Sequence, residues 1–250
     1  MNQSVIYALD FDGVICDSAL ETGMSAWKAA IQIWDDFPSP LPTAEQSEQF
    51  RQIRPIMGTG YEAILIVRLL NNGETVESIM ADYQAKTQKI MKDSTLTVEF
   101  LKKVFGDTRD HWIKEDLDNW VEMNPLFPEI SEKLQALSKQ GLWYIITTKQ
   151  ERFVKQILQA NQIELADEKI FGLDRNMSKE AVLVDLVARH VDQKIYFVED
   201  MLPSLVKVIN NSKLNTVKLF LALWGYNTAQ EKVDAADKNI ELINIDGFIN

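Results

Sequence analysis

Val5-Ile6-Tyr7-Ala8-Leu9-Asp10-Phe11-Asp12-Gly13-Val14 is the stretch on which the fold turns. An apolar run of this kind reads as a buried strand of a parallel sheet, and it stops abruptly at two carboxylates and a glycine. Ligands of open α/β sheets bind beyond the carboxyl ends of the strands, so Asp10 stands where chemistry is usually found. Residues two apart in extended chain face the same side, so Asp10 and Asp12 can address one reacting centre. Gly13 lets the chain turn away without a Cβ in its path. A strand followed by an ordinary Asp-Gly turn would read the same over these ten residues, so the choice falls to the rest of the chain.

The second half supplies partners for that strand. Apolar runs at 142–147, 195–198 and 216–221, with a shorter one near 169–171, alternate with segments of helical spacing. Among the helical segments, one carrying Ile130, Leu134 and Leu137 ends at Gly141, and another carries Phe153, Val154, Ile157 and Leu158. Leu183, Leu186 and Val187 mark a third, and Leu202, Leu205, Val206 and Ile209 a fourth. Strands alternating with single helices imply right-handed crossovers and a parallel sheet. The first strand cannot form a sheet alone and belongs with these.

Between them, residues 18–123 read almost entirely as helix. Ser18-Ala19-Leu20-Glu21 has the form of a capping box, and Thr43 with Gln46 forms another. A long helix is expected from Thr75 through Met91, and a further one capped by Asp107 with Ile113, Leu117, Trp120 and Val121 inside. The character changes at Asn124-Pro125-Leu126-Phe127-Pro128. The fold class expected is α/β: a doubly wound parallel sheet, residues 1–17 and 124–250, interrupted directly after the acidic turn by an all-α insertion.

With 250 residues and 46% hydrophobic content, the chain has ample material for its cores. A formal net charge of −11 without a Lys/Arg cluster repels polyanions, which argues against nucleic acid and anionic membrane as partners. The same field means that any phosphate site must bring its own cations. Cys16 is the single cysteine, which excludes an internal disulfide and suits a reducing compartment. No apolar run approaches transmembrane length and no signal pattern opens the sequence, so a cytoplasmic protein is expected.

Polar residues end each later strand. Thr147-Thr148-Lys149 precedes a helix, whose free amides together with a hydroxyl suit an anion, although threonines also simply end strands and cap helices. Glu199-Asp200 would repel one another unless a cation lay beside them, and hard oxygen ligands point to Mg²⁺. Arg51 and Arg54 in the insertion are anion contacts or a solvated helix face. His190 falls on an apolar face, His111 has no evident partner, and Cys16 has no base beside it.

Taken in order, Asp10-x-Asp12-Gly13 after one strand, Thr147 after another, Lys179, and Glu199-Asp200 resemble the haloacid dehalogenase superfamily, mostly Mg²⁺-dependent phosphatases. Pro128-Glu129-Ile130 and Trp224-Gly225-Tyr226 resemble its phosphoglycolate phosphatase-like branch. The resemblance implies a core with strand order 5-4-1-2-3 and places the insertion where the family carries a C1-type helical cap. It implies Asp10 as nucleophile and metal ligand, and Asp12 as general acid/base with its carbonyl on the metal. Thr147 would hold the phosphoryl oxygens, Lys179 would neutralise them, and Asp200 would bind Mg²⁺. Thr148, Lys149 and Arg54 are the expected substrate contacts. The family commonly has a second acid where this chain has Ser204, and Glu199 is the residue placed to compensate.

The expected function is hydrolysis of a small phosphate monoester, a phosphorylated metabolite, through an aspartyl-phosphate by a monomer or homodimer. A phosphomutase would show the same core motifs. A 2-haloacid dehalogenase lacks the second Asp, so Asp12 argues against it. A catalytically silent binding protein is favoured only by Ser204.

Overall fold

The computed structural model describes residues 5–140 and 143–250; Gly141 and Leu142, the expected helix stop and strand start, lie outside the described residues. Two compact units are present, one running through Asp17 and resuming at Pro125, the other Ser18–Asn124.

The first unit opens with β1 (Val5–Leu9). The second unit then follows as α1 (Ala19–Ile33), α2 (Ala44–Ile53), α3 (Glu62–Asn71), α4 (Val76–Ala81), α5 (Tyr83–Asp93), α6 (Val98–Glu115) and α7 (Leu117–Glu122). α3 is buried on nearly every side, through Ala63, Ile64, Leu65, Ile66, Val67, Leu69 and Leu70, as the apolar sequence of a central helix requires. Trp27, Phe50, Ile53 and Phe105 close the core around it.

Local signals in this unit are realised only in part. The Thr43/Gln46 capping box forms, and such a cap contributes about 1 kcal/mol. The one from Ser18 does not: Ser18 makes no side-chain cap bond, and Glu21 is turned inward to a buried arginine. Thr75 caps α4 as expected, but Asp82, in a non-helical conformation, separates α4 from α5 and divides the expected long helix. Asp107 lies inside α6, which Thr97 caps; a new start at Asp116 begins α7.

The first unit resumes with α8 (Ile130–Gln140), β2 (Trp143–Ile146), α9 (Glu151–Ala160), β3 (Ile170–Phe171), α10 (Lys179–Arg189) and β4 (Lys194–Glu199). It ends with α11 (Leu202–Ile209), β5 (Lys218–Ala222), α12 (Ala229–Asp237), β6 (Glu241–Ile243) and α13 (Ile245–Ile249). The strands form one parallel sheet in the order β3-β2-β1-β4-β5-β6. The expected order of five strands is present, with β6 added at the edge. At three residues it is too short for a strand pattern to stand out in the sequence.

Ile6 and Ala8 pack on one face of the sheet with Leu183, Phe197, Leu205 and Leu221. On the other, Tyr7 meets Tyr196 and Phe248 edge-on at centroid distances of 5.7 and 6.0 Å. Among the described residues, no helix is long and apolar enough to cross a membrane.

Candidate active site

From β1 the chain winds outward through β2 to β3, then crosses back to β4 on the other flank of β1. The carboxyl end of β1 is therefore a topological switch point, where neighbouring loops part and leave a crevice. The register is tight: Leu9 is level with Ile145 and Val198, and the Asp10 amide donates to the Val198 carbonyl at 3.0 Å. Asp10, Thr147, Glu199 and Asp200 consequently emerge at one edge of the sheet, 6%, 6%, 1% and 0% exposed.

Lys179, in the first turn of α10, joins two of these carboxylates. Its Nζ lies 2.9 Å from Asp10 Oδ1 and 2.6 Å from Glu199 Oε2. Burial works against the ammonium charge, but Asp10 and Glu199 overcome it and hold the lysine pKa above its ordinary value. Glu199 Oε1 also accepts from the Met201 amide at 3.0 Å, so this carboxylate anchors Lys179 whatever else it does. For Asp10, burial and then the Glu199 charge outweigh the attraction of Lys179, and its pKa is pushed up to about 7.

Asp200 is held by the chain after β5. Its Oδ2 accepts from the Tyr226 amide at 2.7 Å, and Asn227 Nδ2 donates to the Asp200 carbonyl at 3.1 Å. Tyr226 Oη reaches Asp17 Oδ1 at 2.8 Å, and Trp224 Nε1 reaches the Val14 carbonyl at 3.0 Å, so this loop clamps the acidic turn. Two glycines make the approach possible. A Cβ on Gly13, whose φ is +90°, would fall 2.0 Å from Asp200 Oδ2; one on Gly225 would fall 2.3 Å from the Gly13 carbonyl oxygen. Local sequence pattern does not carry the contacts of Trp224-Gly225-Tyr226 with Asp17 and Asp200, which depend on pairing across the sheet.

Thr147 Oγ1 accepts from the Lys149 amide at 3.1 Å, leaving the hydroxyl hydrogen available to an anion. Thr148 is exposed. A cavity of about 220 Å³ is lined by both threonines, Met177, Ser178, Lys179 and Ser204. Lys149 Nζ lies 2.9 Å from Asp12 Oδ1. A larger cavity, about 830 Å³, lies between Trp143, Lys155 and Ile163 and is not lined by Asp10, Asp12, Glu199 or Asp200.

Arg54 is buried in the helical unit, with Nη1 3.4 Å from the Met57 carbonyl, so it is not a solvated helix face; Arg51 is exposed. His190 bonds to Tyr144 Oη at 3.0 Å and to Gln193 at 2.9 Å. His111 pairs with Glu115 on the surface of α6, and Cys16 is buried.

Among the described residues, Asp10, Glu199 and Asp200 form the group suited to a metal, with one oxygen of each within 4.8 Å of the others. Asp10 and Glu199 share the Lys179 ammonium and Asp200 lies beside them, a concentration of negative charge that a divalent cation would relieve. The donors are all hard oxygens, which fits Mg²⁺. A pH dependence follows. Because the folded pKa of Asp10 is raised from 3.8 to about 7, the folded state binds more protons in that window, and this group's contribution to stability falls as pH rises through it. A cation replacing the proton offsets the loss. Saturating Mg²⁺ is expected to raise the melting temperature more near pH ~8 than near pH ~5. An equal or larger rise at the lower pH would contradict this account of Asp10.

No protein-family model matches the chain, and no curated protein matches its sequence. Solved structures do share its fold. A predicted phosphoglycolate phosphatase from Haemophilus somnus is 17% identical, with a TM-score of 0.60, over 100% of this chain and 96% of that one. A predicted phosphatase from Clostridium acetobutylicum is 16% identical with a TM-score of 0.58, over 98% and 95% of the two chains. A haloacid dehalogenase-like family hydrolase from Streptococcus pneumoniae is 17% identical with a TM-score of 0.54, over 97% and 94%. The chain has the fold of the haloacid dehalogenase-like hydrolases. At such low identity a shared fold does not carry an activity, which has to be argued from the site.

Proposed function

We propose that this protein is a Mg²⁺-dependent phosphatase acting on a small phosphorylated metabolite through an aspartyl-phosphate. The observation that carries the reading is Asp10 at the switch point, 2.9 Å from Lys179 and two residues before a second carboxylate. Phosphoryl transfer needs positioning and charge stabilisation more than covalent help, and these groups supply both.

The metal, held by Asp10, Asp200 and the Asp12 carbonyl with Glu199 beside them, would neutralise charge on the phosphoryl oxygens. An oxygen of Asp10 attacks phosphorus as the bond from phosphorus to the ester oxygen breaks, and Asp12 gives its proton to that departing oxygen. Lys179 and the Thr147 hydroxyl hold the phosphoryl group, with Thr148 at the rim. In the second half, Asp12 takes a proton from water as the water attacks the aspartyl-phosphate. Inorganic phosphate leaves and the Asp10 carboxylate is restored.

The test is phosphate release from a panel of small phosphomonoesters with Mg²⁺, run beside excess chelator. Metal-dependent release of inorganic phosphate is expected. Release undiminished by chelator, or none from any substrate, would overturn the reading; transfer to a second hydroxyl without release would indicate a mutase.

A further inference from the structure

We propose that Lys149 is a positioning residue for Asp12, an inference that rests on the phosphatase reading and gives this lysine a role other than substrate contact. Its Nζ is 2.9 Å from Asp12 Oδ1 and 5.9 Å from the centre of the Phe11 ring. Burial separates the two partners: the Lys149 side chain is 1% exposed, that of Asp12 17%. The ammonium therefore lies beneath the carboxylate, and Asp12 is the partner open to a ligand.

The backbone fixes this arrangement. The Lys149 amide donates to Thr147 Oγ1 at 3.1 Å, and the Lys149 carbonyl accepts from the Leu173 amide at 3.0 Å. A Cβ on Gly172 would fall 2.7 Å from that carbonyl oxygen, so the loop before α10 packs directly on it. These contacts fix where the side chain starts, and turning its Nζ towards a ligand would cost the partner of its buried charge.

An acid/base group that serves first a departing oxygen and then a water must keep one orientation through both. A charge-assisted bond to Oδ1 restrains the orientation of the carboxyl. Lys149 neither gives nor takes a proton in either step; it sets where Asp12 does so. The consequence depends on the leaving group. An alkoxide needs the Asp12 proton as its bond to phosphorus breaks, whereas p-nitrophenolate departs without one.

The experiment compares kcat/KM, which reports departure of the leaving group, for an alkyl phosphate and p-nitrophenyl phosphate. Lys149→Met is expected to lower the alkyl value by about 10–10²-fold, as misplacement of a reacting group does, and the aryl value by much less. KM should change little for either, and Lys149→Arg should restore part of the alkyl rate. Lys149→Gln gives the same contrast if the methionine variant does not fold. Equal losses on both esters with a raised KM would overturn the inference and make Lys149 a phosphate ligand. A wild-type protein that hydrolyses neither ester fails the phosphatase reading itself, a result visible before any Lys149 variant is made.

Discussion

Asp10→Asn is expected to reduce Mg²⁺-dependent phosphate release to background while leaving the fold intact. Asparagine matches the shape of aspartate but has neither the charge to bind a cation nor the nucleophilic oxygen to accept a phosphoryl group. Stability should move the other way. Asp10 is pushed up to about 7 because its charge is buried near Glu199, so a neutral group there relieves a cost. Lys179 keeps Glu199 at 2.6 Å when Asp10 is replaced. The metal-free variant should therefore melt at or above the wild-type temperature, the expected signature of an active-site charge kept for function. Asp12→Asn is a milder change, slowing turnover by about 10²–10⁴-fold, the usual range for loss of a general acid/base. Phosphate release by Asp10→Asn at even a tenth of the wild-type rate would remove Asp10 from the role of nucleophile.

The largest effect on stability is expected from Arg109→Met in the helical unit. Glu21 there is fully buried and accepts from Arg109 Nε at 2.7 Å, Arg109 Nη2 at 2.6 Å, Ser25 Oγ at 2.5 Å and Trp120 Nε1 at 3.0 Å. Arg109 also stacks near the Phe105 ring, 4.3 Å from its centre. Removing the cation takes the bidentate partner from a fully buried carboxylate, at a cost of about 3–5 kcal/mol. Replacing both partners leaves no buried charge, so Glu21→Leu with Arg109→Met should recover much of the loss. A double-mutant cycle on denaturant unfolding measures the coupling. A single-variant loss below about 1 kcal/mol would show that the pair behaves like a surface ion pair.

The same glutamate shows where local reading of the sequence fails. Ser18-Ala19-Leu20-Glu21 fits a capping box, and the motif is worth about 1 kcal/mol where it forms. Arg109 lies 88 positions away and offers Glu21 a bidentate, buried pairing that the box cannot match. At Thr43 no such partner competes, and the local motif forms. Helix boundaries differ from the sequence expectation as well: Asp82 breaks the stretch expected as one helix, and Asp107, expected as a cap, lies inside α6.

What the sequence determined by itself was the core sheet and the residues at its edge. Apolar runs of strand length, separated by single helices, leave few topologies once crossovers must be right-handed. Strand ends in such a sheet place Asp10, Thr147 and Glu199-Asp200 together whatever the intervening loops do. Tertiary structure alone decided how those residues are used. Lys179 bridges Asp10 and Glu199, Lys149 lies under Asp12, and the Tyr226 amide holds Asp200. These pairings join chain segments separated by between 20 and 169 positions, and periodicity carries no information about them. They form because burying each charge at the sheet edge is costly until an opposite charge or an amide reaches it. That requirement is met only when the loops of the folded chain are in place.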